Sequence, residues 1–239
     1  AAKLRLQILD RKAEVNVVLR EIGEILYATH IGEPSDSEIM LGKLQEIDAL
    51  KAEIAVLEEK LAEMLGAQKV YVAQGDSADS ERAQKEMGQL AARVLFENTE
   101  ANLRIAIAGG SAMAELGDAV PEGLEQKAKL VVPARGSIGR RLELQADTLA
   151  AKLAEKLQAD YRLLHLPDNL SPHVLEEMKK DPDIADTIEE MEQADILLLG
   201  VGNAATVIGI VGLGVSKVAG LVVVESNIIQ RLIDGLHIL

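Results

Sequence analysis

Three apolar runs in the chain each end in a glycine-rich turn. Ile105-Ala106-Ile107-Ala108 leads into Gly109-Gly110-Ser111, Leu130-Val131-Val132-Pro133 into Ala134-Arg135-Gly136-Ser137-Ile138-Gly139, and Ile196-Leu197-Leu198-Leu199 into Gly200-Val201-Gly202. A helix-like stretch follows each turn. A glycine turn feeding a helix start aims unpaired backbone N–H groups at one spot, with the positive end of the helix dipole behind them. Several such turns along the carboxyl edge of one parallel sheet make a pocket for phosphate or sugar-phosphate oxygens. Arg135 would add a planar fork of donors at that edge. The competing readings are plain: Gly109-Gly110 also suits a tight strand-to-helix turn with no ligand, and Arg135 suits a surface ion pair of little worth.

Little else in the chain looks like chemistry. It has no cysteine, so disulfides, thiolate metal sites and cysteine nucleophiles are excluded. His30, His165, His173 and His237 are scattered, without close metal-ligand spacing, so no metal site is expected. Asp147 and His165 are the residues to watch for acid/base work, but no paired set stands beside the turns. Gly200-Val201-Gly202-Asn203-Ala204-Ala205 fits the dinucleotide pattern GxGxxA, with Glu225 near the expected distance. The Val-, Ile- and Gly-rich run between them is a poor helix and strand, so no cofactor is expected. Aromatic residues make up only 2%, which leaves the core aliphatic and removes base stacking as a function. A net charge of −14 argues against nucleic-acid contact by the main body of the chain. Charges recur every few residues near the start, unlike a signal peptide, and the apolar stretch 204–224 carries Lys217 and many glycines. Neither membrane insertion nor export is expected, and the chain is expected in the cytoplasm.

The elements that must position these turns follow from periodicity. Residues 1–28 repeat apolar positions at helical spacing, with Leu4, Ile8, Val15, Leu19, Ile22 and Leu26 on one side. A break at 32–37 precedes a second helix to about 65, with a seam at Ile47, Leu50, Ile54, Leu57, Leu61 and Met64 spaced alternately by three and four. That seam suits either a helix packed within its own domain or a linker between subunits. From Gly66 the texture changes. Strands are expected at 69–73, 103–108, 130–133, 161–166 and 195–199, and helices at 80–97, 111–117, 139–158 and 184–193. A proline loop with Pro167, Pro172 and Pro182 joins the last strand pair. Repeated β-then-α units with near-continuous apolar strands predict an α/β fold, a doubly wound and mainly parallel sheet, after an N-terminal helical segment. The expected domains are 1–65 and 66–239.

The tail after Ala204 is compressed. Val207 to Val211 reads as a strand, Gly212 to Lys217 as a turn into a helix, Leu221 to Val224 as a strand and 226–235 as a helix. Only three residues separate Lys217 from Leu221, where a helical crossover takes about ten or more. Segments of the natural chain are therefore expected to be missing here.

Several ordered motifs resemble the effector-binding domain of the SorC/DeoR-type sugar-responsive bacterial transcription regulators. They run from Leu57-Glu58-Glu59-Lys60-Leu61 through Gly75-Asp76-Ser77 and Lys85-Glu86-Met87-Gly88 to Val132-Pro133-Ala134-Arg135-Gly136, with Gln145 ten residues beyond Arg135 and Tyr161-Arg162-Leu163-Leu164 later. The resemblance covers about 55 to 203, and Gly209 to Lys217 and Val222-Val223-Val224-Glu225 resemble later family motifs. It implies a phosphosugar-isomerase-like effector domain and no catalysis. Gly109, Gly110 and Ser111 would hold a phosphate, Arg135 and Gly136 would pair with phosphate, Gln145 would reach a sugar hydroxyl, and Gly200, Gly202 and Lys217 would complete the anion site. Ala112 stands where a second hydroxyl residue is common. The resemblance further implies a winged helix-turn-helix, contact with operator DNA through the N-terminal module, and a homodimer or homotetramer. The N-terminal module looks abridged, and a further arginine and acidic residue expected between the last two glycine turns have no counterpart.

The function expected is thus a transcriptional regulator, a repressor, whose α/β domain binds a phosphorylated sugar and so alters oligomer state and DNA binding. Fructose 1,6-bisphosphate is the leading candidate effector. The alternative is a sugar-phosphate isomerase or deaminase, because such enzymes share the sheet and the phosphate turns.

Overall fold

A computed structural model describes residues 1–32, 37–67, 69–73, 81–97, 101–122, 128–136, 141–167, 170–200 and 221–223. Contacts divide the chain into two compact units, Ala1–Gln74 and Gly75–Arg231.

The first unit is an antiparallel helical hairpin of α1 (Ala2–His30) and α2 (Ser37–Leu65), each 29 residues long. The expected seam is spent inside it. Ile47, Leu50, Ile54 and Leu61 of α2 are buried, and Val18, Ile22, Ile47 and Leu50 form one cluster. Met64 is exposed, because it turns off that stripe at the helix end. On α1, Ile8, Val18 and Ile22 are buried, whereas Leu19 and Leu26 of the expected face are exposed. Three ion pairs set the register: Arg11–Glu53 at 2.8 Å, Lys12–Glu58 at 2.8 Å and Lys43–Glu21 at 2.7 Å.

The expected strand 69–73 has no regular secondary structure and pairs with no strand among the described residues. It is fastened to the hairpin instead. Val72 N–H donates to Glu58 Oε1 at 3.0 Å, and Lys12 Nζ donates to Glu58 Oε1 and to the Val72 carbonyl at 2.5 Å. The N–H and carbonyl of Val72 are satisfied by a side-chain pair rather than by a ladder.

The second unit holds α3 (Glu81–Glu97), β1 (Arg104–Ile107), α4 (Ser111–Ala119), β2 (Leu130–Pro133), a 3-10 turn (Leu142–Leu144), α5 (Ala146–Leu157), β3 (Asp160–Tyr161), α6 (Pro172–Met178), α7 (Pro182–Glu192), β4 (Ile196–Gly200) and β5 (Leu221–Val223). The strands form one sheet in the order β3-β2-β1-β4-β5, and every neighbouring pair is parallel. Strands buried on both faces must read as unbroken apolar runs. Ile105, Ala106, Ile107, Val131 and Val132 are all at most 1% exposed. Ala106, Leu130 and Val132 pack with Ile188, Met191 and Ala194 in the layer of α7. The period of two sends Ile105, Ile107 and Val131 to the opposite face, the side of α4 and α5 with Met113, Leu116, Leu149 and Leu153 in the core.

Three expectations differ from the structure. Of the helix expected over 139–158, the described residues form a 3-10 turn and then α5, because Asp147 in the first turn marks a fresh helix start. The strand expected over 161–166 pairs only as β3; beyond it the chain is held by Arg162 N–H on the Val131 carbonyl at 3.2 Å and by Leu164 N–H on Asp147 Oδ1 at 2.7 Å. The proline loop contains α6. Ser171 caps it by accepting from Val174 N–H, and Pro172 occupies the first turn, where a missing N–H costs nothing. The expected elements over 204–220 and 224–239 lie outside the described residues.

Candidate functional site

The ladder register brings the glycine turns to one level. Ile107 pairs with Pro133 on one side and with Leu198 on the other. Two residues further on, Gly109, Arg135 and Gly200 stand abreast at the carboxyl edge of β1, β2 and β4. Bonds from Ala134 N–H to the Ile107 carbonyl and from Ala108 N–H to the Leu198 carbonyl, both 2.8 Å, carry the alignment past the strand ends. At the usual spacing of neighbouring strands the three positions span about 10 Å. The chain leaves β1 toward β2, while β4 lies on the other side of β1. The order therefore reverses between β1 and β4, and that crevice is where open parallel sheets hold ligands.

The β1 turn is built around two glycines for two different reasons. Gly110 has φ +124°, a conformation only glycine adopts without strain, and it caps α4 without a side chain. Gly109 is pressed against the start of α5. A Cβ there would stand 2.6 Å from the Leu144 carbonyl oxygen and 3.2 Å from the Ala146 nitrogen. The Gly110 N–H donates to that same Leu144 oxygen at 2.9 Å. In this structure the Gly110 donor is thus committed to the 3-10 turn. The groups left for an anion are those of the first turn of α4, namely the N–H groups of Ser111, Ala112 and Met113, which lack intrahelical acceptors, and the Ser111 hydroxyl.

Gly200 meets this turn from the other side. A side chain there would lie 3.5 Å from Ala112 Cβ and 4.0 Å from Met113 Cε. The end of β4 and the first turn of α4 are therefore in contact across the crevice. Gln145 belongs to the same cluster but not where the helical periodicity puts it. It is the residue between the 3-10 turn and α5, with φ −76° and ψ 146°, and its backbone lies beside Gly109. Arg135 is half-buried at the end of β2. Gly136 beside it allows a close approach of the Leu166 carbonyl and Pro167. The structure therefore gathers Gly109, Gly110, Ser111, Ala112, Gly200 and Gln145, and places Arg135 level with Gly109 just past the end of β2, with Gly136 next to it. Gly202 and Lys217 lie outside the described residues.

The Asp147 carboxylate is taken up by the Leu164 N–H, and His165 is exposed on the segment after β3. Among the described residues no group of three or more His, Cys, Asp or Glu could hold a metal, and no helix is long and apolar enough to cross a membrane. The Leu144 carbonyl, which organises the β1 turn, escapes sequence reading because any residue carries one.

A family model for a sugar-binding domain, Sugar-bind, matches residues 52–222. The chain belongs to that family. It is 31% identical over 182 residues to the central glycolytic genes regulator of Priestia megaterium, covering 76% of this chain and 53% of that protein. The regulator of the same name from Bacillus subtilis is 29% identical over 153 residues, covering 64% of this chain and 45% of that one. The chain thus spans about half the length of the curated relatives it matches. Among solved structures, a SorC family transcriptional regulator from Enterococcus faecalis superposes with a TM-score of 0.53 at 27% identity, covering 62% of this chain and 60% of that one. The full-length sorbitol operon regulator of Klebsiella pneumoniae gives 0.59 at 20% identity, covering 81% and 69%, which shows the fold. The resemblance to SorC/DeoR-type regulators holds, and within them the likeness to the central glycolytic genes regulator.

Proposed function

We propose that the second unit of this Sugar-bind chain is the effector-reading part of a cytoplasmic transcriptional repressor, and that it binds a phosphorylated sugar without turning it over. The observation that carries the reading is the alignment of Gly109, Arg135 and Gly200 at the switch point, with the first turn of α4 against the end of β4. The anion would sit on the N–H groups and hydroxyl at Ser111–Met113, with Arg135 as its charged partner and Gln145 beside the sugar. Gly202 and Lys217 would add donors from the turns that follow. The effector would be fructose 1,6-bisphosphate, the candidate that the likeness to the central glycolytic genes regulator suggests. Operator contact would belong to a winged helix-turn-helix, which is not among the described elements, and effector binding would shift the assembly between DNA-competent and DNA-incompetent forms.

Calorimetry against fructose 1,6-bisphosphate, fructose 6-phosphate, glucose 6-phosphate, dihydroxyacetone phosphate and NADH tests this reading. Saturable binding of a phosphosugar, abolished in Arg135→Ala and leaving the sugar unchanged after incubation, is expected. Turnover of an aldose or ketose phosphate would replace the reading with an isomerase or deaminase, and binding of NADH alone with a dinucleotide enzyme.

A further inference from the structure

The register that levels the glycine turns also reaches a histidine. Val131 pairs with Tyr161 across β2 and β3, and the same register, continued to the end of β2, sets Arg135 opposite His165. Two contacts carry it past the last paired residues. Arg162 N–H donates to the Val131 carbonyl at 3.2 Å. Leu166 then falls opposite Gly136, and a Cβ on Gly136 would stand 2.3 Å from the Leu166 carbonyl oxygen. A third contact, Leu164 N–H on Asp147 Oδ1 at 2.7 Å, pins this segment to the first turn of α5, beside Gln145.

The period of two decides the face. Leu164 and Leu166 are buried in the layer of α7 with Ala106, Leu130 and Val132. Leu166 N–H donates to the Leu164 carbonyl at 2.7 Å, which makes a three-residue turn with His165 at its tip. His165 is exposed between the two buried leucines. It is therefore turned to the opposite face, the side of α4 and α5, which Arg135 shares by the same alternation. His165, Arg135, Gly109 and Gly200 thus form one row along the carboxyl edge of β3, β2, β1 and β4. At the usual strand spacing His165 stands about 5 Å from Arg135 and about 10 Å from Gly109.

We propose, resting on the effector reading above, that His165 is a specificity-determining residue of that site. It takes the second anionic group of a doubly phosphorylated sugar whose first phosphate is seated at Ser111–Met113. The α4 seat lies at the β1–β4 end of the row and His165 at the β3 end, so a phosphate on each leaves the sugar between them, over Arg135 and Gln145. A monophosphate fills the α4 seat alone. An imidazole N–H donating to a phosphate oxygen is a charge-assisted bond, worth about tenfold in affinity.

Calorimetry on the full chain with fructose 1,6-bisphosphate and fructose 6-phosphate tests the assignment. The wild type is expected to favour the bisphosphate. His165→Ala is expected to weaken the bisphosphate by about tenfold, the worth of that one bond, while the monophosphate affinity and the melting temperature stay as they were. His165→Gln, which keeps an N–H donor, should recover part of the loss. His173→Ala, an exposed histidine of α6 outside the row, should change neither affinity. Bisphosphate binding indifferent to His165→Ala, an equal loss for both sugars, or a wild type without preference for the bisphosphate overturns the role of His165 and leaves the effector reading standing. A wild type that binds no phosphosugar overturns the effector reading, and the role of His165 with it.

Discussion

Replacing Gly109 by alanine separates a packing glycine from an anion-binding one. The added methyl would sit 2.6 Å from the Leu144 oxygen and 3.2 Å from the Ala146 nitrogen, both backbone atoms that no rotamer change can move away. The start of α5 must shift, and with it the 2.9 Å bond from Gly110 N–H to Leu144. Overpacking of this kind costs about 1–3 kcal/mol, and the lost hydrogen bond adds about 1 kcal/mol. A total of about 2–4 kcal/mol lowers the melting temperature by roughly 5–12 °C in a chain of this length. Gly117 is the internal control. It is buried in α4 with nothing within 4 Å of a Cβ, so Gly117→Ala should stabilise by up to about 1 kcal/mol through helix propensity and a less flexible unfolded chain. Thermal unfolding followed by circular dichroism, without ligand, measures both. A Gly109→Ala melting temperature within 1 °C of wild type would refute the seating of the 3-10 turn on β1.

Other residues give sharper local readouts. Asp147→Ala leaves the Leu164 amide without its acceptor and should cost about 1–3 kcal/mol in urea unfolding, with Asp147→Asn recovering most of it because the amide oxygen still accepts. Glu58→Ala removes the acceptor of Val72 N–H and the partner of Lys12, so the Val72 amide should exchange at least tenfold faster while amides of β1 are unchanged. Arg82–Glu86 on α3 and Lys180–Glu177 at the end of α6 are solvent-facing pairs, and breaking either should change stability by less than about 0.5 kcal/mol. Glu143 is held below the usual carboxylate range, first by its own backbone N–H and then by Arg141. A depressed carboxylate contributes stability that is present above its unfolded pKa and lost as pH falls through the folded one. Glu143→Gln should therefore flatten the acid limb of the stability curve slightly, and the Arg141 share should vanish in high salt.

Where one physical constraint dominated, the sequence was readable. Ile105-Ala106-Ile107 and Leu130-Val131-Val132 had to be interior strands because an unbroken apolar run survives only when both faces are covered. The α2 seam was visible as a stripe, yet its partner was not, because heptad spacing is the same whether the second helix comes from this chain or another. The candidate site divides in the same way. Glycines at 109, 110 and 200 were legible as turn residues, and the parallel register then forces them to one level. Illegible was the division of labour among them, since it depends on backbone atoms. Leu144 contributes a carbonyl that any residue would supply, and that oxygen both requires glycine at 109 and occupies the donor of Gly110. An anion that recruited the Gly110 N–H would have to displace the Leu144 oxygen, and so move the 3-10 turn and Gln145 with it. An anion held by Ser111–Met113 alone would leave both in place. Amide exchange at Gly110 with and without fructose 1,6-bisphosphate separates the two: unchanged protection means the glycine pair is scaffold, and altered protection means that it reports the ligand to α5.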